Sequence, residues 1–292
     1  MKIVISCKYC LFSLFFASSL LCQGQDLKNE NRNSLPEEKL IQSKALTEKI
    51  IIDINKHEEP LLTGEYCDGY GLSTRRLLIS PSEGYVYSLQ GDMGLYRLSF
   101  GKIVFDNNHV KLLPDFEYSS VEKYFAKNYT LVRWAGRRYL VEDNRILEFC
   151  NDFNGYKEVY CFLLRKGDSQ KDVGETLPEV PKDRKKYLLK TPIQAEIIKI
   201  GEFEIKRDGQ ANQYLTTKVV INKGQANGLL AGMKLYVFLP PDQGIISKEL
   251  ELMKVSEVES EGLLVQEFEG KKTSLPKIGW KLSTSAKVLA GP

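Results

Sequence analysis

The side chains with the widest chemical reach fall in one stretch, Arg133-Trp134-Ala135-Gly136-Arg137-Arg138-Tyr139. Arginine and tryptophan anchor protein interfaces, and both stack on flat rings. With strands alternating on either side of Ala135-Gly136, Arg133 and Arg137 are expected to point the same way. Arg133, Trp134, Arg137, Arg138 and Tyr139 therefore form a candidate interface. The plainer reading is a strand–turn–strand corner that buries Trp134 and leaves arginines in solvent. Glu142-Asp143 and Asp152 are the acids nearest to predicted turns. A glycosidase needs two carboxyl groups converging to about 5–10 Å, and spacing alone leaves that convergence open.

Other chemistries lack their parts. The chain holds two histidines. His57 sits in a charged run, His109 follows a predicted hairpin turn, and neither has a partner at metal-ligand spacing. There is no G-x-S-x-G elbow, no P-loop and no glycine fingerprint that opens a helix after a strand. Gly69-Tyr70-Gly71 reads as a turn. No catalytic, metal-binding or cofactor-binding residue is assigned, and a non-enzyme is expected.

Six cysteines occur. Cys7 and Cys10 belong to an N-terminal leader. Cys150 and Cys161 flank the turn-rich Asn151-Asp152-Phe153-Asn154-Gly155. A disulfide between them would close a short loop worth about 2–3 kcal/mol. Two buried thiols are the alternative, and Cys67 is a third partner for either.

Residues 1–24 have the pattern of a secretory signal. Lys2 and Lys8 precede an uncharged apolar run, Tyr9 to Leu21, shorter than the roughly 20 residues that span a bilayer. Cleavage after Ser19 or Gly24 fits small-residue pairs. Cys22 is a lipidation candidate, with Leu21 where a lipobox prefers a small residue. An exported protein is expected, in the periplasm, on the envelope surface or secreted, with no span in the mature chain. The leader removes two lysines and no acid from a net charge of +3, leaving a nearly neutral chain. No basic field recruits nucleic acid.

The 292 residues are 42% hydrophobic and 27% charged, with mean hydropathy −0.28. These values exclude a polytopic membrane protein and a wholly disordered chain. Residues 25–57 read as a polar tether and a helix from Pro36 to Lys49, with a capping box at Ser34–Glu37 and apolar residues Leu40, Ile41, Ala45 and Leu46.

Residues 58–167 read as a β domain. Its expected strands are Leu72–Ser80, a Tyr85/Tyr87/Leu89 strand, Leu95–Phe100 broken at Gly101 and resumed at Lys102–Phe105, His109–Leu113, Thr130–Trp134, Arg137–Glu142 and Val159–Arg165. Asp106-Asn107-Asn108 is a tight hairpin turn, and Glu117–Lys127 a short helix. Residues 168–190 read as a linker broken by Gly174, Pro178 and Pro181. Its basic run, Lys182–Lys186, is either a phosphate contact or a solvated segment.

Residues 191–285 read as a second β domain, with strands Ala195–Ile205, Tyr214–Asn222, Lys234–Leu239, Glu249–Val258, Gly262–Glu267 and Trp280–Ser283. Gly224, Gly228 and Gly232 recur every four residues as barrel corners, with Leu229 and Met233 as apolar plugs beneath them. Short strands with turns every 8–12 residues predict an all-β chain of two small antiparallel barrels or sandwiches.

The segment Asn222-Lys223-Gly224, Gly228-Leu229, Gly232-Met233 resembles the glycine turn of small β-barrel domains in bacterial envelope scaffold and flagellar-assembly proteins. Gln225 and Ala226 depart from the small-polar and acidic residues usual there. The resemblance covers about 20 residues and implies architecture, with no catalytic residue to carry over. Gly64-Glu65-Tyr66 and the Pro81–Tyr87 hairpin resemble exported bacterial β-domains.

The expected function is that of an exported cell-envelope module that binds or scaffolds without catalysis. Its partner, a protein or a glycan, is unspecified, as is its oligomeric state. A carrier of a small apolar ligand in a barrel cavity and a carbohydrate-active enzyme are the alternatives.

Overall fold

The computed structural model describes residues 35–56, 61–70, 73–91, 94–118, 126–157, 159, 161–207, 213–237, 248–268, 270 and 275–286. The leader with Cys22, residues 25–34 and His57 lie outside them. Strands dominate, and the chain divides into two compact units. One comprises Asp26–Ile146 with Tyr160–Lys182, and the other Leu147–Val159 with Asp183–Pro292.

The first unit is a closed barrel of eight antiparallel strands in chain order. These are β1 (Gly64–Tyr70), β2 (Ser73–Ser80), β3 (Gly84–Gly91), β4 (Gly94–Asp106), β5 (His109–Tyr118), β6 (Asn128–Trp134), β7 (Arg137–Glu142) and β8 (Leu163–Arg165). Alternation sends one row of side chains inward. Tyr85 and Tyr87 stand opposite Ile79 and Leu77, and with Tyr66, Tyr129, Leu131 and Leu140 they form one buried cluster. Asn107 and Asn108 have φ 46° and 74° between paired Asp106 and His109, as a two-residue primed turn requires.

The predicted break at Gly101 is absent. β4 runs through it with a register shift at Phe100/Gly101, because the adjacent strand passes close: a Cβ there would meet Leu113 O at 2.2 Å. The helix expected from Glu117 is also corrected at its start, since Glu117 and Tyr118 end β5; residues 119–125 lie outside the described residues.

The N-terminal helix α1 spans Glu37–Lys56, past the expected end at Lys49. Leu46, Ile50 and Ile54 continue one stripe at four-residue spacing, which outweighs the low helix propensity of the Ile50-Ile51-Ile52 run. That stripe packs on the outward side chains Leu78, Val86, Leu98 and Phe100. Ser80 Oγ donates to Asp53 Oδ2 at 2.7 Å. The helix is thus a layer on the barrel.

The second unit is a closed barrel of six strands: β9 (Gln194–Arg207), β10 (Gln213–Ile221), β11 (Lys234–Val237), β12 (Glu249–Val255), β13 (Ser260–Glu267) and β14 (Lys281–Ser283). Their order around the barrel is β10-β13-β12-β11-β14-β9, with every neighbour antiparallel. The glycine corners fall where expected. Gly228 and Gly232 take φ 88° and 84°. Gly224 is extended but lies against Ser256, whose carbonyl a Cβ would meet at 2.3 Å. Leu229 and Met233 are buried in the core below.

Asn151–Gly155, read as a turn, belongs instead to a helix, α2 (Ile146–Tyr156), nearly all of which is assigned to the second unit. Its asparagines bond to backbone far along the chain. Asn151 Nδ2 donates to Gly232 O (2.9 Å), and its Oδ1 accepts from Lys234 N (3.2 Å). Three residues on, Asn154 Nδ2 donates to Tyr187 O (2.8 Å), and its Oδ1 accepts from Leu189 N (2.9 Å). Gly155 lies against the Tyr236 ring, where a Cβ would meet Oη at 2.5 Å.

The helix also corrects the disulfide. Cys67, Cys150 and Cys161 are free thiols. Residues 151–156 advance helically instead of turning the chain back toward Cys150. Cys150 is fully buried, and burial pushes its thiol up to about 12.

Residues 168–190 are likewise more than a linker: Asp168 and Val180 are buried, and Tyr187 and Leu189 pack against the second core. Lys182, Lys185 and Lys186 are exposed. Asn154→Ala should cost about 1–3 kcal/mol in a urea titration, because it leaves Leu189 N–H and Tyr187 C=O unpaired beneath α2. A cost under about 0.5 kcal/mol would show that these bonds do not hold the helix.

Candidate functional site

The Arg133–Tyr139 corner turns on a two-residue loop, Ala135-Gly136, with Ala135 at φ 50°. Trp134 therefore pairs with Arg137, and Arg133 with Arg138. Opposed residues share a face, so Arg133 lies on the face of Arg138. The expectation that Arg133 and Arg137 point the same way is corrected: two loop residues put 133 opposite 138.

Each member of the corner is engaged within its own unit. Trp134 is 1% exposed and donates Nε1–H to Thr176 O at 2.9 Å. Arg137 donates from Nε to Lys171 O (2.9 Å) and from a terminal nitrogen to Ser169 O (3.0 Å). Arg133 pairs with Glu179 at 2.6 Å, and its carbonyl accepts from Glu179 N at 2.7 Å. Tyr139 is fully buried.

Arg138 holds the most enclosed charge of the corner. Its side chain is 9% exposed and that of Asp168 is 2% exposed. Asp168 Oδ2 accepts from Arg138 Nε (2.9 Å) and from Arg138 backbone N (3.0 Å). Oδ1 accepts from Arg138 Nη2 (3.0 Å) and lies 3.0 Å from Lys171 Nζ. Burial on its own would raise the Asp168 pKa. The Arg138 and Lys171 bonds outweigh burial and hold the carboxyl below its ordinary range.

A second network lies at the other end of the inward rows. Arg75 pairs with Asp68 directly across β1–β2, with Glu142 at 3.2 Å, and donates to Cys161 O at 3.3 Å. Arg145 lies 4.0 Å from Glu142. Sequence reading missed Asp68 and Arg75. Their signal is alternation, since Arg75, Leu77 and Ile79 occupy every second position of β2. Glu142 and the adjacent Asp143 diverge: Asp143 accepts from Thr130 Oγ1 (2.7 Å) and faces His109 Nδ1 at 3.9 Å. Asp152 belongs to the other unit.

Among the described residues no group of three His, Cys, Asp or Glu side chains is placed to hold a metal ion, and no helix is long and apolar enough to cross a membrane. No known protein family, curated protein or solved structure matches the chain.

Asp168→Ala should cost about 3–5 kcal/mol, because it removes the carboxylate of a buried, charge-assisted pair with Arg138. A carboxyl held below its unfolded pKa stabilises the fold fully above that value, and the contribution disappears as pH falls through the folded pKa. Wild-type stability should therefore fall below about pH 4, and the Ala variant should lose this part of the acid dependence. Urea titrations at several pH values read both. Equal acid slopes for the two proteins would contradict the assignment.

Proposed function

We propose that this chain is an exported bacterial cell-envelope protein that works as a non-enzymatic binding or scaffold module. One observation carries the reading: the arginines of two polar clusters of the first barrel are paired with acids of that same barrel, Arg138 with Asp168 and Arg75 with Asp68 and Glu142. Such pairing supports a structural role for these side chains. The leader-like residues 1–24 and the envelope-type glycine turn at Asn222–Met233 support the location. The carrier alternative gains nothing from the barrel interior, where Tyr66, Tyr85 and Tyr129 join aliphatic side chains in one buried cluster. The enzyme alternative gains nothing from Glu142 and Asp143, which turn to different partners.

The test is intact mass of the protein recovered from the envelope fraction of a bacterial host, measured before and after reduction. The expected mass lacks the first 19 or 24 residues, or carries a diacylglyceryl group on Cys22, and is unchanged by reduction. Recovery of the full-length chain in the cytosolic fraction would overturn export.

A further inference from the structure

β9 is the longest described strand of the second unit, and along most of one of its edges no strand lies beside it among the described residues. Along one edge it pairs with β10 from Ile197 to Arg207. Along the other it pairs with β14 only at Gln194, Ala195 and Glu196, and loop bonds to Gly279 and Trp280 end at Ile197. Among the described residues, no strand pairs with the second edge from 198 to 207.

The same stretch exposes large apolar side chains, Phe203 at 60% and Ile205 at 45%. Their register explains the exposure. Phe203 stands opposite Thr217 and Ile205 opposite Leu215, both buried, on the face that lines the barrel farther along β10. The strand carries this lining face past the rim. Register shifts lie between the pairs of Thr217 and Val219 and between those of Val220 and Ile221, so Phe203–Arg207 is regular and open to pairing.

We propose that this edge pairs antiparallel with the same edge of a second copy, about a two-fold axis at Ile205. The occupant is argued from charge. In that register Glu204 faces the partner's Lys206 on both sides of the axis, Phe203 faces the partner's Arg207, and Ile205 faces its own counterpart. Opposed side chains must share a face, so the register can slip only by moving the axis to a neighbouring residue. Centred on Glu204, two glutamates oppose each other. Centred on Phe203, Glu202 faces Glu204. Centred on Lys206, two lysines oppose each other. Of these, the Ile205 register pairs every charge from 203 to 207 with an opposite charge or an aromatic ring, and its first like-charge pair, Glu202 with Asp208, falls outside that stretch. Glu204 and Lys206 already lie 3.3 Å apart within one chain, on the exposed outer face, so both are positioned to bridge the two copies.

Sedimentation equilibrium of the mature chain tests this, with thermal melts confirming that each variant folds. The proposal predicts a dimer with a dissociation constant of about 1–100 μM. Lys206→Glu and Glu204→Lys should each weaken it at least about tenfold, and the double exchange should restore it. A wild-type monomer up to about 100 μM, or a dimer that the single charge reversals leave unchanged, would overturn the proposal.

Discussion

The Asp168 carboxylate receives donors from the backbone and side chain of Arg138 and pairs with Lys171, and the closure of the first barrel depends on that junction. β8 spans only Leu163–Arg165 and meets each neighbour at two positions. Two ladder positions on each side hold a strand weakly against the entropy of the loop that delivers it. Asp168, three residues beyond β8, ties the chain to the adjacent strand through charge-assisted bonds in a nearly dry site. With β8 in place the eight strands form a closed ring. The second barrel repeats the device with neutral groups. β14 is also three residues long, and the residues after it bond to Ile193 and Gly155 through Thr284, Ser285 and Ala286.

This role explains the fate of the Arg/aromatic corner. Residue types that anchor interfaces between proteins anchor here an interface between one chain segment and its own barrel. Trp134, Arg137 and Arg138 all reach residues 168–176, so the stretch after β8 is packed along β6 and β7. The barrel's polar side chains thereby act in assembly, which is why the functional reading turns on surfaces and location.

Much of the strand rhythm was legible, because alternation and turn chemistry are local signals. The Asp106–Asn108 hairpin and the corners at Gly228 and Gly232 follow from backbone conformations that few residues adopt cheaply. What escaped was non-local. Asn and Gly favour turns when only neighbours are considered. In α2 the asparagine amides instead satisfy backbone groups some 30 and 80 residues away, and Gly155 gives room to a tyrosine ring. Asp168 falls inside the stretch read as a linker, and its partner lies 30 residues earlier. Arg75 and Asp68 were passed over, because only the pairing of β1 with β2 and the approach of Glu142 bring them together. Pro and Gly suggested a linker at 168–190, although the same residues suit an irregular segment packed on a barrel wall.

Amide hydrogen exchange across β8 and its two neighbours tests the closure account most directly. With the wild-type chain and an Asp168→Asn variant that keeps shape and removes charge, the account predicts wild-type protection at Leu163–Arg165 comparable to that of β1 and β7. In the variant, protection should fall along β8 and the facing edges of both neighbours, while β2–β5 keep theirs. Rapid exchange in wild-type β8, or unchanged protection in the variant, would contradict the claim that this buried charge closes the barrel.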